Sequence, residues 1–359
     1  MHGAFRAFVG RIRGVVILPK RRPTPTLRMI ADELGLNVST VSRVLNAPEQ
    51  DAHLWAAPDT EQRIREAAKR LDYAPNPYAA SLRTSRSNLV GVIVPRLQDF
   101  VLATVYEGIE EAAIERGLAT FVTNSLNKLE NQRARANMML QRRVDGLIFG
   151  DARLDDPYLD ELAGRSIPFV LVSRHSGTHI AVTCDDYVGG RLVGEHLLGS
   201  GRRDVAVLAG LPFASTAQDR TRGLVDVFRE AGLVIPSSRI VFGEFDAPGG
   251  RAAAEKMLES GPVPDAIFAT NDFAAFGALG VLRDHGLHVP TDVALVGYND
   301  IPLAAEASVP LTTVRSPMHL MGRRALEKLH DVMRGETVES EQLPPELIVR
   351  ESSGRGSEG

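Results

Sequence analysis

Val38, Ser39, Ser42 and Arg43 recur at the spacing of one exposed helical face. Their types suit the floor of a DNA groove: an apolar side chain for a thymine methyl, hydroxyls for a phosphate or base edge, an arginine for guanine. A second set lies downstream, each member just after a short apolar run. It comprises Gln98, Asp99 and Phe100, Asn124 and Ser125, Ser173 and Arg174, Thr216 and Arg220, Phe245, Asn271 and Asp272, then Asn299 and Asp300. Amides, carboxylates, two arginines and two aromatic rings suit a small polyhydroxylated ligand. Planar groups pair with hydroxyls and rings cover an apolar face. Taken singly, each Asn or Asp is explained as well by a turn or a helix cap. The argument lies in the clustering.

Catalytic and metal chemistry find less support. Cys184 precedes two carboxylates but has no evident His partner, so it reads as a buried spectator thiol. His175 and His179, and His285 and His288, lie without a supporting carboxylate or Cys pattern and read as solvated histidines. Asp185 and Asp186, followed by Gly189 and Gly190, suit a hinge and a cap better than a metal-bound hydrolase. No GxGxxG follows a strand pattern, which argues against a dinucleotide. No catalytic residue, metal or cofactor is expected.

These side chains need scaffolds. Thr26 can cap a helix with Leu27, Ile30, Ala31 and Leu34 on one face, and Gly35 permits a sharp turn. Asn37 can cap a second helix carrying Val38, Val41, Val44 and Leu45, ending near Asn46. A third helix is expected after Pro58-Asp59, with Ile64, Ala67, Ala68 and Leu71 inward, beyond a loop holding Trp55. Two short helices and a Gly turn make a helix-turn-helix, although a helical hairpin in a larger bundle would show the same spacing. From residue 88 the pattern predicts strands at 89–95, 119–123, 145–149 and 169–172, with helices at 103–116 and 130–142. The rhythm repeats with strands at 205–209, 266–269 and 293–296 and helices at 219–231, 250–260 and 273–285. Strands alternating with helices imply parallel sheets, here two doubly wound lobes joined by crossing strands near Thr183 and Pro310. In such sheets ligands sit beyond the strands' carboxyl ends, where the second set falls.

Charge divides the chain in the same way. Residues 1–90 carry a net +6 and the remainder a net −10, so a basic head meets a polyanion and an acidic body does not. A single cysteine excludes an internal disulfide, and no run has the apolar length of a membrane span. Residues 1–25 hold six basic side chains and no acidic one; they lack the apolar core of a signal peptide and read as a disordered arm.

The run Ile30-Ala31, Gly35 and Ser39-Thr40-Val41-Ser42-Arg43-Val44-Leu45-Asn46, then Asp72-Tyr73-Ala74-Pro75-Asn76 and Ala80-Ser81-Leu82-Arg83-Thr84, resembles the lac repressor–galactose repressor (LacI/GalR) family. The likeness continues through Asp185 to Arg191, Arg220-Thr221-Arg222-Gly223, Thr270-Asn271-Asp272, Gly297-Tyr298-Asn299-Asp300 and Leu347 to Ser352, covering about residues 26–352. It departs at Leu36-Asn37, where Val-Ser is more usual, in a longer 47–58 loop, and at Ser173, where Asp is frequent.

The resemblance implies an α/β protein with an N-terminal three-helix helix-turn-helix head and hinge helix. Two doubly wound parallel-sheet lobes of periplasmic-binding-protein type would follow. The implied boundaries are a basic disordered arm at 1–25, the DNA-binding domain at 26–76, a hinge helix and linker at 77–87, the two-lobed effector-binding and dimerisation domain at 88–353, and a disordered tail at 354–359. It adds Thr26, Thr40, Asn46, Tyr73 and Asn76 to the DNA-contacting set, with Leu82 as a wedge into the minor groove. It implies that Arg220, Asn271 and Asp300 hydrogen-bond a ligand on which Phe245 packs. The expected function is a sequence-specific transcriptional regulator, a repressor whose operator affinity follows a sugar-like effector. It would act in the cytoplasm as a homodimer on a palindromic operator, with no membrane partner. A two-lobed sugar receptor without a DNA role, or a hydrolase on a related fold, are the alternatives.

Overall fold

The computed structural model describes residues 25–47, 51, 54–73 and 86–354. The expected arm through residue 24, Asn76, Leu82, the hinge segment through residue 85 and the tail from 355 lie outside the described residues. The chain forms two compact units that divide between residues 85 and 86.

In the first unit, helices α1 (Leu27–Leu34), α2 (Val38–Asn46) and α3 (Pro58–Arg70) close on one small core. Thr26 caps α1 by accepting from the Met29 N–H, and Gly35 ends it at φ 65°. Asn37 caps α2 through the Ser39 N–H, and Pro58 opens α3, where its missing N–H costs nothing. Ile30, Val41, Val44 and Ile64 are fully buried, each contributing about 1.5–3 kcal/mol.

The second unit has two lobes. The first lobe runs β1 (Leu89–Val94), α4 (Phe100–Glu115), β2 (Ala119–Asn124), α5 (Leu129–Gln141), β3 (Gly146–Phe149), α6 (Pro157–Gly164), β4 (Phe169–Val172) and β5 (Ala181–Cys184). The second runs α7 (Asp186–Gly199), β6 (Val205–Gly210), α8 (Ser215–Glu230), β7 (Ile240–Phe242), α9 (Ala247–Glu259), β8 (Ala266–Ala269), α10 (Asp272–Asp284), β9 (Ala294–Asn299), a single turn α11 (Leu303–Glu306) and β10 (Thr312–Arg315). Helix α12 (Met318–Met333) and β11 (Glu341–Leu343) then return to the first lobe, and β12 (Glu346–Ile348) goes back to the second.

The sheet orders are β11-β5-β4-β3-β1-β2 and β12-β10-β9-β8-β6-β7. Every pairing is parallel except β12 with β10. The chain thus crosses between lobes at Asp185, at Ser316-Pro317 and at Pro344-Pro345. The crossing expected near Pro310 is corrected: Pro310 precedes β10 inside the second lobe.

Helices pack in pairs against these sheets, and each pair meets at reciprocal glycines. Gly108 of α4 faces α12, whose Gly322 faces α4; Gly190 and Gly223 do the same for α7 and α8, and Gly250 and Gly277 for α9 and α10. A Cβ at any of the six would strike the opposing backbone. The paired helices therefore approach more closely than side chains would allow.

Candidate functional site

On α2, Val38, Ser39, Arg43 and Asn46 are exposed and Ser42 half-buried, so these side chains share a face turned away from the core. The face is locally ordered. The Ser39 hydroxyl donates to Asn37 Oδ1 at 2.7 Å, and Asn46 Nδ2 donates to the Ser42 carbonyl at 2.7 Å. Thr40 is half-buried. Thr26 is engaged as the α1 cap at 3.3 Å, and Tyr73 packs partly buried against the core.

In the second unit, the loops after β1, β2, β7 and β8 enclose a cavity of about 250 Å³. Arg96, Gln98, Asp99 and Asn127 line it from the first lobe, and Glu244, Phe245, Asp246 and Phe273 from the second. The loops after β1 and β8 border the points where strand order reverses, β1/β3 and β6/β8, whereas those after β2 and β7 leave the edge strands. Asp99 caps α4 by accepting from the Val101 N–H at 3.0 Å, which starts the helix three residues before the expected Ala103. Burial pushes the Asp99 carboxyl up against the pull of that N–H, Arg174 and Arg220.

Arg174 is buried behind this cavity, donates to Asn127 Oδ1 at 3.1 Å and faces the Phe245 ring at 5.8 Å. Burial lowers its guanidinium to about 10, with Asp151 and Asp99 opposing. Asp151, which follows β3, is pushed up to about 6 by burial against hydrogen bonds from Ser125 and Gln132. Arg220 is equally buried. Its Nε donates to Asp186 at 2.8 Å, its Nη1 to the Thr270 carbonyl at 2.7 Å, and its plane lies 3.6 Å from the Tyr298 ring centre. Nη2 takes no acceptor among the described residues.

The other expected contacts are dispersed. Phe100 opens α4 and is 38% exposed. Asn124 is exposed and spends Oδ1 on the Leu97 N–H, whereas Ser125 is fully buried beside Asp151. Ser173 adopts φ 67° after β4. Thr216 is buried in the first turn of α8. Asn271 caps α10 through the Ala274 N–H at 3.2 Å. The carboxylate of Asp300 is bound by Arg315 at 2.8 Å and Arg350 at 2.7 Å. Its neighbour Asn299, at φ 108°, has a buried Oδ1 without a partner among the described residues. Sequence reasoning also passed over Arg96, Asn127, Glu244, Asp246 and Phe273. All five follow strands, as the residues chosen did, but one or two positions away.

The histidine reading is corrected in its carboxylate part, while His288 stays largely in solvent as expected. Folding supplies carboxylates that sequence spacing hides: His175 Nε2 meets Asp219 at 2.8 Å and His179 meets Asp160 at 2.9 Å. His288 meets Asp292 at 3.1 Å. The His175 pair joins the loop after β4 to α8, so it bridges the lobes. Arg153 of the first lobe likewise stacks on Phe213 of the second, 3.8 Å from its centroid.

Comparison with known proteins places both units. Residues 26–76 match the model for bacterial regulatory proteins of the lacI family, and residues 195–353 match the periplasmic binding protein-like domain. The HTH-type transcriptional regulator CelR of Thermobifida fusca is 33% identical over 344 residues, covering 93% of this chain and 99% of that protein. A solved CelR–cellobiose complex has a TM-score of 0.68 at 31% identity, covering 91% of this chain and 99% of that one. The lac repressor dimer bound to operator and the anti-inducer ONPF has a TM-score of 0.83 at 26% identity, covering 93% of this chain and 100% of that one. With both units and nearly the full length of these relatives matched, the chain belongs to the lacI family of bacterial regulatory proteins.

Proposed function

We propose that this chain is a sequence-specific DNA-binding repressor whose operator affinity is set by a sugar-like effector held between its lobes. It acts in the cytoplasm as a homodimer on a near-palindromic operator. The observation that carries the reading is the cavity after β1, β2, β7 and β8. It is lined from both lobes by carboxylates, amides, an arginine and two phenyl rings, in a chain that also presents the polar face of α2. Carboxylates and amides pair with hydroxyls, and Phe245 and Phe273 offer surfaces to the apolar face of a pyranose. Arg220 Nη2 and the buried Asn299 Oδ1, outside that lining, are further polar groups of the second lobe without a hydrogen-bond partner among the described residues. A ligand that touches both lobes favours one lobe arrangement, and its coupling to operator binding is reciprocal. The relatives are transcriptional regulators, and we read this chain as likewise without catalytic activity.

A thermal-shift screen of mono- and disaccharides and nucleobases tests the ligand class, followed by operator titrations with and without the hit. A sugar that raises the unfolding midpoint and shifts operator affinity supports the reading. A response to nucleobases alone would refute the sugar class.

A further inference from the structure

The connection between α2 and α3 holds the chain's single tryptophan, and the core of the head does not use it. That core consists of Ile30, Val41, Val44 and Ile64 with small alanines, whereas Trp55 is 45% exposed and Leu54 beside it 65%. The ring is therefore left half in water and free to contact a surface side chain. The indole faces Arg43, whose guanidinium carbon lies 4.8 Å from the ring centroid. Among the described residues no carboxylate is paired with that guanidinium.

The kind of contact matters. A carboxylate partner would occupy the in-plane N–H donors of Arg43. An indole over which the guanidinium carbon sits carries no charge that would bind those donors as a carboxylate does, and leaves them for another partner. Arg43 is thus restrained in orientation while its hydrogen-bonding edge stays available. Ser39, Ser42 and Asn46 border the same open groove, so the restrained edge lies among the residues best placed to read bases.

We propose that Trp55 is a positioning residue for DNA discrimination. It holds the Arg43 guanidinium in the plane needed for a bidentate contact with one base pair, and so sharpens sequence preference without itself reading a base. Part of the side-chain freedom that an arginine loses on binding is already removed before DNA arrives. The proposal rests on the reading of the head as DNA-binding and goes beyond it in assigning a role to the loop residue.

The full-length protein would first be used to select preferred duplexes from a randomised pool. Affinities for the preferred duplex and its single-base-pair variants would then be measured across a salt series. The proteins are the parent, Trp55→Ala, Trp55→Phe, Arg43→Ala and the Arg43→Ala/Trp55→Ala double variant. Trp55→Ala should lose about tenfold discrimination at the same base pair at which Arg43→Ala loses it. Affinity for unrelated duplexes and the salt slope should stay as in the parent, and Trp55→Phe should recover part of the loss. In the Arg43→Ala background, removing Trp55 should change nothing further. An equal loss across all sequences would overturn the proposal. So would a lowered unfolding midpoint with unaltered discrimination, or the same Trp55 effect without Arg43. A parent that selects no sequence would instead remove the DNA-reading function itself.

Discussion

Arg315 and Arg350 bind Asp300 on both of its oxygens, while Asn299 beside it keeps a buried Oδ1 with no partner. The two residues therefore predict different variants. Asp300→Ala should destabilise the protein by about 2–3 kcal/mol, less than a fully buried pair because Arg315 is half in water. Asn299→Ala should stay within about 1 kcal/mol of the parent in urea denaturation. It should nevertheless reduce the thermal shift given by the sugar that the screen selects; an unchanged shift would move the ligand away from β9. Arg220 combines both roles. Arg220→Met should cost about 3–5 kcal/mol, since it strands a buried Asp186, and pairing it with Asp186→Leu should return much of that loss. Equal denaturation midpoints for the single and double variants would show that the ion pair is not the source. Sequence reading reached both polar residues at the end of β9, and the family resemblance put the ligand contact on Asp300, whose carboxylate the two arginines occupy. Successive residues at a strand end face opposite ways, and only the fold shows which neighbour the arginines take.

Among the elements, the long apolar runs were legible because a buried parallel strand reads as continuous Val, Ile and Leu, as at 89–94 and 205–209. Helix starts were legible where a side chain caps them, as at Thr26 and Asn37, and one was placed late at α4, where Asp99 was grouped with the ligand contacts although a cap explained it as well. Strand β11 gave no pattern, being three residues long with Glu341 and Gln342 facing outward in part. The close pairing of α7 with α8 was equally hidden, because a glycine in a sequence does not announce what lies opposite. Gly223→Ala should cost about 1–3 kcal/mol by overpacking against the Tyr187 carbonyl. It should also lower effector affinity, since α8 carries Arg220. Unfolding and binding measured together decide this: a stable variant with parental affinity would mean that the helix pair yields without moving the cleft.

Across the whole second unit, contacts between the lobes include one that titrates. The hydrogen bond to Asp219 raises the His175 imidazolium above the ordinary histidine value against the effect of burial. A raised value means that this bridge contributes fully below about pH 6.5 and fades as pH climbs through the shifted pKa. The unfolding midpoint of the parent relative to His175→Gln should therefore fall as the solution is made alkaline; parallel pH profiles would count against the bridge. The interior beside the first crossing is also chemically quiet. Burial pushes the Cys184 thiol up to about 12, so maleimide should label it far more slowly in the native protein than in urea. The three crossings have a consequence for the order in which the protein can be made. The first lobe is not a contiguous stretch of chain: α12 covers one of its faces and β11 completes its sheet edge, and both follow β6 to β10 of the second lobe in sequence. On a ribosome, β1 to β5 emerge early and must wait for residues 318–343 before their apolar face is closed, whereas β6 to β10 can fold during that interval. Translation from the N-terminus therefore closes the first lobe only after β6 to β10 have been made, and the second lobe's edge strand β12 comes last of all.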